Sequence, residues 1–363
     1  MEHAPYCLRG TKLQGFGEGS VMDVSPNIER TVMSDSQETS MPSVAVIIPC
    51  YKVTRHIQGV VASLGSDVHA IYCVDDACPD ASGDFIERNV NDPRIRVLRH
   101  AQNKGVGGAV MTGYKAAIAD GHSILVKVDG DGQMEGRLVA NFIAPIARGE
   151  ADYTKGNRFW DLGRIGDMPL VRRIGNLGLS FLAKASSGYW DVFDPTNGFT
   201  AIHAEVAAAL PFDSISERYF FETDILFRLN TMRAVVVDVP MDARYADEVS
   251  GLKVSKILFE FSAKHLRNTF KRIMYRYFLR DISIASFELV VGSALLLFSL
   301  VFGIWNWVSY AQSESAAPVG TIMVAVVTFV SGLQFLLAFA NFDIASVPRQ
   351  PLHPRLKGFV RPE

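Results

Sequence analysis

Val126-Lys127-Val128-Asp129-Gly130-Asp131-Gly132-Gln133 decides how this chain is read. The run from Ile124 to Val128 is apolar except at Lys127, as in a strand buried in a sheet, and it stops in two carboxylates separated by one glycine. Asp129 and Asp131, at i and i+2 about a flexible Gly130, can turn toward one hard cation that keeps waters or takes phosphate oxygens as further ligands. Taken alone, the octapeptide also fits a strand-to-helix turn with a solvated Asp-Gly pair. Its surroundings decide between the two.

Working back toward the N-terminus, Val44-Ala45-Val46-Ile47-Ile48-Pro49 reads as a buried strand stopped by proline, followed by helical spacing from Thr54 to Leu64. Ala70 to Val74 forms a second strand ending in Asp75-Asp76. Ser82 to Val90 reads as a helix, Arg94 to Leu98 as a third strand, and Gly107 to Asp120 as an Ala-rich helix leading into the strand before Asp129. Strands alternating with helices at this spacing imply an α/β domain with a mostly parallel, Rossmann-like sheet. Ligands of such sheets bind beyond the carboxyl ends of the strands, where Pro49-Cys50-Tyr51, Asp75-Asp76 and Asp129-Gly130-Asp131 all fall. Gly105, Gly107 and Gly108 do not make a dinucleotide loop, because position 110 is Val, and they read as helix-start glycines.

Composition narrows the class. The chain has 363 residues and a formal charge of −2, but its cations are segregated: Lys and Arg concentrate between Lys253 and Arg280 and again after Arg349. That pattern points to a membrane surface or an acidic partner and away from a nucleic-acid binder. Cys7, Cys50, Cys73 and Cys78 have neither zinc-type pairing nor a disulfide framework, so reduced thiols in the cytosol are expected. Residues 1–42 contain no apolar core of a signal peptide and read as a disordered leader.

The set Ile48-Pro49-Cys50-Tyr51, Val74-Asp75-Asp76, Asn103-Lys104-Gly105-Val106-Gly107, Asp129-Gly130-Asp131-Gly132-Gln133 and Asp194-Pro195-Thr196-Asn197-Gly198-Phe199 resembles inverting nucleotide-sugar glycosyltransferases of the GT-A fold. More narrowly it resembles the polyprenyl-phosphate hexose synthases, the dolichyl-phosphate mannose or glucose synthase type, over roughly Val44 to Lys256. The resemblance implies a Mg²⁺ or Mn²⁺ ion on Asp129 and Asp131, with Gln133 near the metal and the acceptor. It also implies a nucleotide pocket of Pro49, Tyr51, Asp75, Asp76 and Lys104, with Arg244 on the donor diphosphate, and a lipid-phosphate site of Arg158, Arg172 and Arg173. Two departures stand out: Lys52-Val53 replaces the family's Asn-Glu, and Thr196-Asn197-Gly198-Phe199 replaces its Thr-Ser-Gly-Phe.

The chemistry suits these residue types. Charge grows on the phosphate of a departing nucleoside diphosphate, and a divalent cation stabilises it. Guanidinium groups donate paired hydrogen bonds to phosphate. Glu222 and Asp224, at the start of a helix read from Arg218 to Leu229, are assigned to positioning, since a lipid phosphate is already ionised and needs no strong general base. His203 and His265 lack metal-ligand companions and read as structural, and Trp160 and Trp190 as packing residues.

The last third places the chain. Residues 251–283 read as basic amphipathic helices on an anionic leaflet, with Ile257, Phe261, Leu266, Phe270, Ile273, Met274 and Tyr277 near one face. Leu289 to Val308 and Val319 to Phe342 carry no charge and are long enough for the roughly 20 residues a membrane span requires, making a hairpin within 284–345. The link between them has no Lys or Arg, so both termini and the 43–250 domain are expected in the cytoplasm, with 346–363 as a cytoplasmic tail. Glu288 and Asp343 are expected at the interface. The resulting expectation is hexose transfer from a nucleotide sugar to a polyprenyl phosphate, undecaprenyl phosphate in preference to dolichyl phosphate, by a multi-pass inner-membrane enzyme. The bilayer, and possible self-association into a homo-oligomer, complete its expected partners. The alternatives are a polysaccharide-extending transferase, disfavoured by the lack of a Q-x-x-R-W motif, and a catalytically silent membrane scaffold that binds a nucleotide sugar.

Overall fold

The computed structural model describes residues 42–160, 170–242 and 254–356. The strands are β1 Val44–Cys50, β2 Ala70–Asp75, β3 Ile95–Arg99, β4 Ile124–Lys127, β5 Tyr153–Asn157, β6 Thr200–His203 and β7 Val236–Pro240. The helices are α1 Ile57–Ser63, α2 Ser82–Asn89, α3 Val106–Ala119, α4 Val139–Ala147, α5 Leu170–Ser187, α6 Ala204–Ala208, α7 Phe221–Met232, α8 Val254–Met274, α9 Ile284–Gln312, α10 Val319–Ala345 and α11 His353–Leu356, with a π-helical turn at Tyr275–Arg280 between α8 and α9.

The described residues form a seven-stranded sheet in the order β3-β2-β1-β4-β6-β5-β7. Every neighbouring pair is parallel except the two that involve β6, which runs antiparallel between β4 and β5. The βαβ succession expected from the apolar periodicity is present through β4, and the whole is the mostly parallel GT-A arrangement. One face of the sheet packs Ile47, Tyr72, Leu125 and Ile202 against α3 and α7, and the other packs Val46, Ile71, Val126 and Ala201 against α1 and α4. Removing this apolar surface from water on both faces is what holds the sheet together.

Proline does not stop the first strand. The carbonyl of Ile47 accepts from the N–H of Val128 at 3.0 Å, so alternation turns Pro49 to the same side, where β4 has already ended at Lys127 and no donor is required. Consequently β1 continues to Cys50, still paired with Asp75 of β2.

One expectation for the last third, the interfacial place of Asp343, needs correction. On α8, Leu266 and Phe270 are 72% and 65% exposed, whereas His265, Asn268 and Arg272 are buried against the sheet domain. The inward side chains are polar because each has a partner there. His265 bonds Ser186 Oγ at 2.8 Å, Asn268 donates to Asp224 at 3.0 Å, and Arg272 donates to the Ala185 carbonyl at 3.1 Å. Burial pushes the His265 imidazole down to about 4, so it is neutral and structural, as read from the sequence.

Asp343 is likewise buried and not at an interface. It accepts from Arg272 Nη1 at 2.6 Å, Arg272 Nη2 at 2.9 Å, Tyr277 Oη at 2.7 Å and Trp190 Nε1 at 3.0 Å. One carboxylate therefore fastens α10 to α8, to the π-helical turn and to the segment after α5. Finally, the stretch after α10 is no free tail over its described part. Val347, Leu352 and Leu356 pack on the sheet core, and Asp152, just before β5, accepts from the backbone N–H groups of Leu352 and His353 and pairs with the His353 ring. Burial alone would raise the Asp152 carboxyl, but the donors from His353, Val235 and Leu352 outweigh it and hold it below its ordinary value.

Both apolar helices, α9 and α10, are long enough to cross a membrane. They pack side by side through small residues: a Cβ on Gly292 would meet the Gly332 carbonyl at 3.1 Å, and Ser299 Oγ donates to the Ala325 carbonyl at 2.7 Å across the pair. Their other faces stay open, with Trp305 and Trp307 at 74% and 78% exposure. Apolar helices this exposed call for a lipid environment, and the protein is membrane-associated.

Candidate active site

Because β1, β2, β4, β5 and β7 run in parallel, their carboxyl ends lie along one edge of the sheet. That edge carries Tyr51, Asp75-Asp76, Asp129-Gly130-Asp131, Arg158 and Met241. Since β6 is antiparallel, the loop entering it, Asp194 to Phe199, reaches the same edge, and α7 begins there with Glu222.

At the centre is a residue whose role the sequence did not reveal. Lys127 is fully buried, and its ammonium donates to Asp129 Oδ1 at 2.8 Å, Glu222 Oε1 at 3.2 Å and the Gly198 carbonyl at 3.1 Å. All three donors are used. Burial by itself would lower the Lys127 ammonium, but Asp129 and Glu222 outweigh it and hold it above its ordinary range, so it stays charged. It fixes the Asp129 carboxylate from behind while the side chain remains 28% exposed toward the crevice. The available signal was a lone lysine inside an otherwise apolar buried strand.

A second buried lysine lies two strands away. Lys155 donates to the Asn197 carbonyl, and burial outweighs the pull of Glu222 and Asp194 to bring it down to about 8. Nearby, burial pushes the Asp238 carboxyl up to about 6; it accepts from Phe193 N at 2.8 Å and from Asn157 Nδ2 at 3.1 Å. These two lysines hold successive carbonyls, Asn197 and Gly198, of the loop that covers Asp129.

The loops on the nucleotide side are held just as tightly. Asp75 accepts from the N–H groups of Cys78 at 2.8 Å and Gly83 at 2.6 Å. Asp76 accepts from Lys104 N at 2.8 Å, Gly105 N at 2.7 Å and His100 Nδ1 at 2.7 Å. Both carboxylates are buried, so they shape the loops around them, whereas Lys104 is joined to Asp76 through its backbone and its side chain is exposed. Lys52 adopts φ 61° with its N–H on Cys78 Sγ at 3.0 Å, leaving Tyr51 half exposed at the rim. Val53, where the resembled family has Glu, is buried beneath the acidic loop: a Cβ on Gly130 would meet its Cγ1 at 2.9 Å. Here the departure is a packing contact.

On the acceptor side, Arg158 directly follows β5 and is bound in a bidentate pair with Asp194, Nε to Oδ2 at 2.7 Å and Nη2 to Oδ1 at 3.0 Å. Arg172 and Arg173 lie on the first turn of α5. Arg244 lies outside the described residues. Glu222 is engaged with Lys127, and Asp224 accepts from Ser216 N at 2.9 Å as well as from Asn268. Neither is arranged as a free general base.

Asp131 Oδ1 accepts from Gln133 N at 2.9 Å, which closes the turn that follows Asp129. Among the described residues no group of three or more His, Cys, Asp or Glu side chains is placed to hold a metal by itself. Two carboxylates at a strand end are an all-oxygen, incomplete donor set, which fits a hard divalent ion that takes waters and diphosphate oxygens in its other positions and does not fit a closed structural site.

The site is thus a parallel-sheet crevice that carries Asp129 and Asp131 at a strand end, on a domain joined to an apolar helical hairpin. Residues 45–210 match Glycosyl transferase family 2. The chain is 30% identical to UDP-N-acetylglucosamine–dolichyl-phosphate N-acetylglucosaminyltransferase of Methanococcus voltae, over 56% of this chain and 86% of that protein. It is 28% identical to undecaprenyl-phosphate mannosyltransferase of Micrococcus luteus, over 54% and 82%. With polyprenol monophosphomannose synthase of Mycolicibacterium smegmatis the identity is 25%, over 62% and 88%. The chain belongs to glycosyl transferase family 2, and its relatives are of the polyprenyl-phosphate sugar synthase type.

Proposed function

We propose that this glycosyltransferase moves a hexose from a nucleotide sugar of the UDP-glucose or GDP-mannose type to a polyprenyl phosphate, undecaprenyl phosphate in a bacterial membrane, with inversion. The observation that carries this reading is the pairing of the Asp129-Asp131 crevice with a catalytic domain fastened through Arg272 and Asp343 to a membrane hairpin. An acceptor with a polar phosphate and a polyprenyl tail suits that architecture. The same reading makes the chain multi-pass, with the catalytic domain and both termini on the cytoplasmic face.

In the transfer, a phosphate oxygen of the lipid attacks the anomeric carbon. The bond from that carbon to the nucleoside diphosphate breaks, and its electron pair stays on the departing phosphate oxygen. One in-line displacement inverts the centre, and no proton has to be removed from an ionised phosphate. A Mg²⁺ or Mn²⁺ ion on Asp129 and Asp131, near Gln133, would supply charge stabilisation at the leaving diphosphate. Lys127 keeps Asp129 in position, and Glu222 keeps Lys127 charged. Pro49, Tyr51, Asp75, Asp76 and Lys104 form the nucleotide side, with Arg244 on the diphosphate, while Arg158, Arg172 and Arg173 serve the lipid phosphate.

The test is a transfer assay on detergent-purified protein with Mg²⁺ or Mn²⁺, undecaprenyl phosphate and a panel of labelled nucleotide sugars. Label extracted into the organic phase with one donor is the expected result and names the sugar. Label released only as free sugar would point to another acceptor. No binding or turnover with any donor would overturn the transferase reading.

A further inference from the structure

Between the catalytic domain and the hairpin lies a cavity of about 500 Å³ that the transfer reaction does not use. Its walls come from the last turn of α7, the π-helical turn and the mouth of the hairpin, where Ser283 precedes α9 and Phe342 and Ser346 end α10. Along α7 the eight helical steps from Glu222 to Asn230 separate it from the Asp129 crevice by about 12 Å. That helix leads away from the carboxyl edge of the sheet, so the cavity is a separate site.

Its charge is one-sided. Arg233, Arg272, Arg276 and Arg280 line it against a single acid, Asp281. Asp343 neutralises Arg272, but among the described residues no ion pair reaches the other three. Arg276 donates to the carbonyl and hydroxyl of Ser346, and Arg280 to the Thr231 carbonyl at 2.8 Å, all uncharged acceptors. Burial draws the Arg276 guanidinium below its ordinary value; Tyr277 and Asp343 pull the other way, and Arg233 and Arg272 add to the lowering. Asn230, which also lines the cavity and is 3% exposed, keeps a buried side-chain amide donor with no acceptor. An orphaned buried donor of this kind calls for a missing partner.

The apolar part of the wall is Leu279 and Phe342. Leu279 is 71% exposed, and Ile282, outside the lining but next to the lining residue Asp281, is 77% exposed. Cations and an unused amide beside outward apolar side chains, at the level where a spanning hairpin leaves the hydrocarbon, match an amphiphile better than a free anion. A π-helical turn at this point adds to the case, since such turns gather at binding sites.

We infer that this cavity binds the phosphate head group of an anionic glycerophospholipid from the surrounding leaflet. Arg233, Arg276 and Arg280 face the phosphate, Asn230 supplies a further donor, and Leu279 and Ile282 lie against the acyl chains. This rests on the membrane placement of the hairpin and not on the sugar or acceptor of the transfer reaction.

The test uses the full-length protein in phosphatidylcholine nanodiscs with or without phosphatidylglycerol, read by native mass spectrometry and thermal unfolding. The double variant Arg233→Gln, Arg280→Gln is compared with Arg267→Gln, Lys271→Gln, which removes the same charge from α8 outside the cavity. The wild type and the α8 variant should retain phosphatidylglycerol and gain Tm from it, while the cavity variant loses retention by about tenfold or more, as expected when two charge-assisted contacts go. Equal loss in both variants would overturn the proposal in favour of diffuse surface charge. Inorganic phosphate raising Tm as much as phosphatidylglycerol would overturn it in favour of a free-anion site. Failure of the protein to enter phosphatidylcholine bilayers at all would remove the membrane placement and the lipid site together, without touching the transferase assay in detergent.

Discussion

Gly198 is the most exposing place to perturb this site, because nothing about it is chemical. A Cβ added there would stand 2.5 Å from Asp129 Oδ2 and 2.5 Å from Lys127 Nζ. Ordinary contact begins at 3.4 Å, so Gly198→Ala must move the carboxylate, the ammonium or the loop by roughly 0.9 Å, and displacements near 1 Å can cost about 10²-fold in rate. Lys127 cannot retreat, because Glu222 and the Gly198 carbonyl also hold it and its surroundings are closed. The movement therefore falls on Asp129, which has the exposed side. Gly198→Ala should lower kcat for transfer by about 10²-fold and weaken Mn²⁺ binding, with little change in KM for the lipid. Transfer rates and Mn²⁺ titration by electron paramagnetic resonance would measure both, with circular dichroism to establish that the fold persists. A variant with wild-type Mn²⁺ affinity and activity within a few-fold would refute the placement of Asp129 as the ion-facing carboxylate held by Lys127.

Three further perturbations address other links. Asp131→Ala should reduce metal-dependent transfer by about 10³-fold while leaving membrane insertion intact, measured by transfer assay and flotation; full activity would remove Asp131 from the metal site. Asp343→Ala strands the buried Arg272 guanidinium and should cost about 3–5 kcal/mol, whereas Arg272→Met with Asp343→Leu should recover most of it; denaturant unfolding in detergent distinguishes this from an unimportant pair, which would show no loss in the single variant. Lys155 has a folded value near 8, below the ordinary lysine value of about 10.4, so between these two the unfolded chain binds more protons. Its burial therefore destabilises the fold in full below pH 8, and stability should rise as pH climbs from about 8 to 10.4. Lys155→Met should lack that rise, and parallel stability–pH curves for the two proteins would contradict the assignment.

Much of the site was legible because its parts lie at ends of regular elements. Alternation and apolar runs marked β1, β2, β3 and β4, and parallel order puts every carboxyl end at one edge. Pro49, Tyr51, Asp75, Asp76, Asp129 and Asp131 could therefore be gathered before any contact was known. Arg158 could be named from its residue type, but its pairing with Asp194 joins residues 36 positions apart and leaves no local trace. The same holds for Lys127 and Glu222, 95 positions apart. In the sequence, a lysine within a buried strand announces only that some partner must exist.

The amino-acid order by itself determined the succession from β1 to β4, the acidic loop and the two apolar helices, since each follows from periodicity, chain stiffness or hydrophobic length within a short window. Only the tertiary structure decided that β6 inserts antiparallel between β4 and β5, that α8 turns its polar side inward, and that Asp343 and Asp152 fasten the hairpin and the stretch after it to the catalytic domain. The reason is electrostatic. Apolar side chains bury against any apolar surface, so their pattern is informative alone, whereas a buried charge is tolerated only against a specific counter-charge that the fold brings from a distant part of the chain.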